Sequence, residues 1–380
     1  MSGTGRIHIV TPAVVPNDAI GTDVLEMAAA LRAAGYDADV FAGGIDPSLR
    51  QLVKPLSARE QEHWRSPDDI LIYHHSMGWP EGEELLNVTR NSIVVRYHNI
   101  TPPGYFERYS EPHFEACRLG LESTRRVALL PGALFWGDSS YNCQGLIGCG
   151  APPERCRVLP PLHCTEQLAA QPFDWGVLQA YRDGVVNILF VGGFKPNKGH
   201  LRAIRVFARY HLEWNSRSRL ILVGSFEPAF QRYVEELWQL AAELSVEPHV
   251  VFSGSVSAAQ LRSYYMVSQV FLCLSEHEGF CVPLVEAMYF RVPIVAWGQT
   301  AVSETLAGCG MVWDEIDEDL FAESIHACVE QREFARHMRR LGWDRYDSTY
   351  RGDILRRRLI DLLQEVADVP INRYRAAGQG

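Results

Sequence analysis

Glu278 and Glu286 stand eight positions apart in the stretch SEHEGFCVPLVEAM, where the apolar run VFLCLS ends. Pro283 suits a first helical position, because no donor is needed there and the ring presets the backbone angle. The freed amides of Gly279, Phe280 and Cys281, with Val282 following, then sit at a helix start, where they can hydrogen-bond an anion such as a diphosphate. Gly279 lets backbone approach such a ligand closely. Glu278 falls on the loop beside the anion, and Glu286 about one helical turn further in. One carboxylate can reach the group beyond the phosphates and the other can accept hydrogen bonds from a ribose diol, so the spacing fits an extended nucleotide-sugar. Taken alone, Glu286 reads more readily as an exposed first-turn carboxylate favoured by the helix dipole.

Other side chains with chemical potential are less specific. His74 and His75, in YHHSMGW, follow a strand-like run and suit a structural role at a strand end. Asp138 and Asn142, in DSSYN, suit helix caps. Two D-x-D strings, at Asp37 and at Asp317, fall at a strand opening and a helix start, which is no place for a metal-diphosphate site.

These residues need a scaffold that presents strand ends. Apolar runs alternate with helix-period segments, which argues an α/β protein with parallel sheets. Strands are expected over 7–11, 38–41, 70–73, 93–96, 134–138 and 157–159, with helices over 22–34, 82–89, 112–130 and 140–147. Residues 160–183 carry adjacent prolines and no clean period, so they read as a linker. The pattern then restarts with NILFVGG, RLILVGS, HVVFSGS, VFLCLS, VPIVAW and GMVW, with helices over 199–211, 229–244 and 303–306. The tail from 317 is mainly helical and ends in a charged amphipathic helix over 350–366. The expected architecture is two Rossmann-like doubly wound domains, 1–165 and 166–345, facing a central cleft, with a helical tail, 346–380, returning to the first.

At 380 residues the chain is long for one core, and 47% hydrophobic with 22% charged residues is the balance of a globular protein. A net charge of -10 argues against general affinity for nucleic acid or anionic lipid. The nine cysteines are odd in number and include no C-x-x-C, so reduced, buried thiols are expected rather than a disulfide framework or zinc cage. The strand-like run RIHIVT begins near Met1 and leaves no room for a signal peptide, and no apolar stretch has spanning length, so a cytoplasmic location is expected.

The pattern EGFCVPLVEAM, followed by RVPIVAW and Glu304, resembles the donor site of retaining GT-B glycosyltransferases of family 4, the glycosyl transferases group 1. The segments ILFVGGFKPNKGH, RLILVGS, HVVFSGSVS, VFLCLSEHEGF and VPIVAWGQTAVSE are similar to that family in order and spacing. The first half is similar more loosely, through a glycine turn after the first strand, YHNITPP and DSSYN. The resemblance implies that Glu286 binds the donor ribose, that Glu278 holds hydroxyls of the transferred sugar, and that the amides of Phe280 and Cys281 cradle the diphosphate. It further implies that Lys198 stabilises the leaving diphosphate as a fixed cation, so that no metal or other cofactor is required. By the same likeness His98 meets the donor sugar near the leaving oxygen, and Gly21 lies in a glycine loop that approaches the diphosphate from the other domain. The chain departs from the family at Gly193, where an arginine usually supplies a second cation; Lys195 is the candidate substitute. Ile20 stands where a second glycine is common.

The implied reaction is retaining transfer of a hexose from a nucleotide diphosphate sugar, GDP-mannose in preference to a UDP-sugar, to an acceptor hydroxyl. Same-face attack is expected, with the leaving phosphate taking the acceptor's proton. The acceptor is expected to be a glycan or lipid-linked sugar of bacterial polysaccharide or glycolipid synthesis, met by the first domain. Candidates there are His75 and Trp79, and an aromatic and basic rim with Arg118, Arg125 and Arg126 that suits peripheral contact with the inner membrane surface or is simply a solvated helix face. Two other readings stand beside this one: a nucleotide-sugar epimerase, and a non-catalytic nucleotide-sugar-binding subunit. An NAD-dependent dehydrogenase is disfavoured, since no G-x-G-x-x-G follows the first strand.

Overall fold

The computed structural model describes residues 5–16, 18–56 and 64–368. In chain order the first half carries β1 (Ile7–Val14), α1 (Ala19–Ala33), β2 (Ala38–Ile45), β3 (Lys54–Pro55), β4 (Ile70–His75), α2 (Pro80–Val88), β5 (Ser92–Tyr97), α3 (Glu111–Val127), β6 (Leu134–Gly137), α4 (Ser140–Gly148) and β7 (Cys156–Val158). There follow α5 (Thr165–Ala170), α6 (Trp175–Tyr181), β8 (Val186–Val191), α7 (His200–Glu213), β9 (Ser218–Val223), α8 (Gln231–Glu243), β10 (Val250–Gly254) and α9 (Ala258–Val267). The chain closes with β11 (Val270–Cys273), α10 (Val282–Tyr289), β12 (Ile294–Trp297), α11 (Val302–Leu306), β13 (Met311–Trp313), α12 (Glu318–Glu330), α13 (Arg332–Arg345) and α14 (Gly352–Asp368). Two compact units result: one groups 1–103, 115–163 and 352–380, the other 104–114 and 164–351.

The first unit is a seven-stranded parallel sheet in the order β3-β2-β1-β4-β5-β6-β7. Its central strands are apolar runs because both faces are covered. One face packs Ile9, Val24, Met27 and Leu31 against Leu355, Leu359, Leu362 and Leu363 of α14. The other gathers Phe41, Trp64, Tyr73, Leu86, Val95 and Phe135. Asp18 starts α1 by accepting the Gly21 amide at 2.8 Å, and Gly35 (φ 90) follows its end in the left-handed region that only glycine adopts freely.

The second unit is a six-stranded parallel sheet in the order β10-β9-β8-β11-β12-β13. Its core centres on Leu189, Ile221, Phe271, Leu284, Val285 and Met288. Residues 104–114 belong to this unit by their packing. Phe106 is buried with its ring 5.6 Å from Phe230, and Tyr109 lies 5.4 Å from Tyr233 while donating to Glu236 Oε2 at 2.7 Å.

Three local expectations change. The span 160–183 is not an irregular linker but contains α5 and α6, the latter capped by Asp174, which accepts the Val177 amide at 2.9 Å. These helices are too short for their few buried apolar residues, Leu168, Val177 and Leu178, to repeat as a visible period. The helix α9 was hidden because its buried face is Ser263, Tyr264, Tyr265 and Val267, a mixed and partly polar set. The strand β3 has two residues, below the length at which alternation is readable.

Candidate active site

In a doubly wound sheet, ligands bind outside the carboxyl ends of the strands where the order reverses. In the second unit that point lies between β8 and β11, and the segments that follow these two strands carry Lys198 and Glu278. They meet there, with Lys198 Nζ 2.8 Å from Glu278 Oε1. Gly199 (φ 77) lets the segments touch, because a Cβ at this position would fall 1.9 Å from the Leu274 carbonyl oxygen. The contact is fastened by the Glu276 amide donating to the Asn197 carbonyl at 2.9 Å and by Ser275 Oγ donating to the Lys198 carbonyl at 3.4 Å. Burial works to lower the Lys198 pKa, but the Glu278 carboxylate outweighs it and holds the ammonium above its ordinary value.

The loop after β11 leads into α10 as the spacing requires, with one correction. Cys281 (φ 75) precedes the helix, so Val282 is its first residue and Pro283 the second. The side chains of Phe280 and Cys281 turn into the core. Among the described residues their backbone amides donate to no protein acceptor, which leaves two donors at a helix start. The Glu278 amide is held by Thr300 Oγ1 at 2.9 Å, and the Phe280 carbonyl accepts from Thr305 Oγ1 at 2.7 Å. One turn into the helix, Glu286 is half-buried and accepts the Tyr265 hydroxyl at 2.7 Å; burial raises its pKa, which that hydrogen bond only partly offsets. Thr300, Tyr265 and Asn197 could not be picked from the sequence, since only the folded loops bring them to the motif.

The expected second cation is otherwise engaged. Lys195 Nζ lies 2.9 Å from Glu227 Oε1, and His113 Nε2 approaches the other oxygen of Glu227 at 3.5 Å. Around Gly193 there is space: a Cβ there would meet nothing closer than Ser225 Oγ at 3.4 Å. Arg202, which no sequence signal singled out, pairs with Glu276 at 3.2 Å and lies over the Trp297 ring at 4.8 Å.

In the first unit the sheet order reverses between β1 and β4. Gly21 lies within the first turn of α1 rather than in the turn before it, and a Cβ there would meet the Val15 carbonyl oxygen at 2.9 Å. His98 follows β5 with both ring nitrogens engaged: Nδ1 is 3.1 Å from Asp138 Oδ2, and Nε2 is 2.8 Å from His74 Nδ1. Asp138 is therefore not a helix cap. It pairs with the buried Arg96 guanidinium at 2.7 Å, whose Nε also holds Asp23 at 3.0 Å. Ser139 caps α4 instead, and Asn142 donates to the Tyr97 carbonyl at 3.2 Å. Ligand atoms of Asp23, His74 and His98 lie within 4.8 Å of one another. A metal does not fit there as the residues stand, since Arg96 already donates to Asp23 Oδ2 and His74 Nδ1 and His98 Nε2 already face each other at hydrogen-bond distance.

Burial holds the His74 pKa well below its ordinary value and the His75 pKa down at about 3. His75 is fully buried and is 2.8 Å from Thr124 Oγ1, which leaves it no face for an acceptor. Trp79 borders a pocket of about 290 Å³ with Pro80, Glu83, Glu84, Leu119 and Arg126.

The lysine-carboxylate pair, the two open amides and the second glutamate all fall inside one segment of known type. Residues 181–342 match the family model of glycosyl transferases group 1. That segment belongs to the family. The chain is 28% identical over 138 residues to O-antigen chain mannosyltransferase B of Escherichia coli, covering 36% of this chain and 35% of that one. It is 26% identical over 266 residues to GDP-mannose:cellobiosyl-diphosphopolyprenol alpha-mannosyltransferase of Xanthomonas oryzae pv. oryzae, covering 64% of each. The alignments thus span from about a third to under two thirds of these relatives' length. Among solved structures, Anabaena Alr3699/HepE in complex with UDP and glucose superposes with a TM-score of 0.75 at 17% identity, covering 95% of this chain and 100% of that one. Two parallel-sheet Rossmann-like domains of this kind make the GT-B fold. Among the described residues no helix is long and apolar enough to cross a membrane.

Proposed function

We propose that the chain is a retaining hexosyltransferase that moves a sugar from a nucleoside diphosphate sugar to an acceptor hydroxyl. The observation that carries this reading is the Lys198–Glu278 pair at 2.8 Å, set at the switch point beside the open amides of Phe280 and Cys281. The amides and Lys198 take the diphosphate, and the charge that develops on it as the glycosidic bond breaks is stabilised by groups already in place. Glu278 holds sugar hydroxyls and Glu286 the ribose. His98 meets the sugar, for which its Nε2 exchanges His74 for a sugar hydroxyl. The acceptor's proton leaves on the departing phosphate, so no protein base is called for and attack falls on the face the nucleotide vacates. No metal is needed for this scheme.

GDP-mannose is the favoured donor, because the Xanthomonas relative is named for it; a UDP-sugar is the alternative suggested by the Anabaena complex. The acceptor is a glycan or lipid-linked sugar, taken beside Trp79, with the chain cytoplasmic and peripheral to the inner membrane face. Incubation with GDP-, UDP-, ADP- and dTDP-sugars tests the reading: donor-dependent nucleotide release supports it, and isomerised free sugar makes the protein an epimerase. An inverted linkage in the product refutes retention. Lys198→Ala is expected to lower kcat by about 100-fold or more.

One observation favours a second reading. Lys195 is tied to Glu227, and Gly193 supplies no cation in its place. A binding subunit without turnover would tolerate that weaker diphosphate site. Tight nucleotide-sugar binding with no release, in the presence of a membrane-extract acceptor pool, identifies this alternative.

A further inference from the structure

We propose that Cys273 and Cys281 form an oxidation site in the loop that bears Glu278, closing to a disulfide under hydrogen peroxide and thereby withdrawing the helix start of α10 from ligands.

The two sulfurs are 3.9 Å apart and both side chains are buried, one ending β11 and the other capping α10. Everything between them belongs to the loop with Glu276, His277, Glu278 and Gly279. A second observation is independent of that distance. Cys281 holds φ 75, a left-handed conformation that disfavours any side chain and has glycine as its ordinary occupant. The cost goes to a residue whose sulfur faces a second sulfur.

The hydrogen bond between the two sulfurs lowers the Cys273 thiol, against its burial and the nearby Glu278 carboxylate, with smaller help from the Ser275 backbone and the Lys198 ammonium. Cys281 is pushed the other way, by the same contact and by its burial. The roles follow. Cys273 thiolate attacks one peroxide oxygen, the O–O bond breaks, and the departing hydroxide takes a proton to leave as water. The sulfenic acid so formed is attacked by Cys281 sulfur, which loses its proton as hydroxide departs from Cys273 and leaves as a second water. Two thiols are oxidised and one peroxide is reduced.

An S–S bond of about 2.05 Å requires the sulfurs to close by roughly 2 Å. The peptide units of Phe280 and Cys281 move with the cap, and Glu278 moves against Lys198. The loss of diphosphate binding expected from this rests on the proposed function; the disulfide itself does not.

The full chain is treated with one to a few equivalents of peroxide, digested with trypsin without reduction, and weighed. Peptide 263–291 contains Cys273 and Cys281 and no other cysteine. The expected result is loss of two hydrogens from this peptide, reversed by a thiol reductant and absent in Cys273→Ala. A peptide that stays reduced while other cysteines oxidise, or that gains oxygens irreversibly, overturns the proposal. In parallel, GDP and UDP are titrated calorimetrically into reduced and oxidised protein. A fall in affinity of about 10-fold or more, restored by reductant and not seen for Cys273→Ala, is expected; equal affinity in both states overturns the effect on the site. Failure of the reduced protein to bind either nucleotide counts against the proposed function, while the mass of the peptide still decides the disulfide.

Discussion

Under the proposed function Glu286 answers two opposed demands. Burial raises its pKa in the folded chain above the unfolded value, so the stability present with the carboxyl protonated is lost as pH rises through the folded value. Glu286→Gln keeps an acceptor for the Tyr265 hydroxyl and removes the buried charge. The variant is expected to melt above the parent at about pH 7, with the difference vanishing below about pH 4, as read by thermal melts across pH. Nucleotide binding is expected to move the other way, weakening by about 10-fold or more as the charged acceptor for a ribose diol is lost. Equal GDP and UDP affinities in parent and variant would remove Glu286 from the ribose. Gly193 offers the converse change. The position has room and no left-handed φ, so Gly193→Arg is expected to fold normally and to tighten nucleoside diphosphate binding by about 10-fold, since a guanidinium pairs with phosphate in bidentate fashion. Calorimetry that finds no gain would place the diphosphate away from this strand end.

At the scale of elements, the segments after β8 and β11 act as one part because glycine permits their backbones to touch. Gly199→Ala would drive a Cβ into the Leu274 carbonyl, and the left-handed φ adds to the clash. We expect a loss of about 2–4 kcal/mol in chemical denaturation together with weakened nucleotide binding, since Lys198 is carried on the displaced segment. A variant as stable as the parent would show that the contact is slack. Most of the scaffold was legible in the sequence: the apolar runs of both sheets, the helix after the glutamate motif and the lysine turn are set by local pattern. What stayed hidden depends on contacts far apart in the chain. Nothing local in DSSYN says that Asp138 turns from its helix toward Arg96, or that Lys195 finds Glu227 across the sheet edge. Likewise Gly21 reads as a turn residue because glycine usually marks one, yet here it is needed inside a helix that runs close under Val15.

For the whole molecule, the C-terminal helix is part of the first unit's core. Leu355, Leu359, Leu362, Leu363 and Val366 are all buried, and at about 2 kcal/mol each their burial is worth about 10 kcal/mol, similar to the stability of an ordinary domain. A chain ending at Arg351 is therefore expected to lose the first unit's cooperative unfolding while the second still binds nucleoside diphosphates. Two calorimetric transitions in the truncated chain would contradict this. The placement of residues 104–114 has a genetic consequence. The second unit is not encoded by one continuous stretch, because the aromatic patch at Phe230 and Tyr233 is covered by side chains specified in the opposite half of the gene. Chimaeras made with a single crossover near residue 164 will pair one parent's patch with the other's cover, so exchange of an intact second unit between relatives calls for two exchanged segments inherited together.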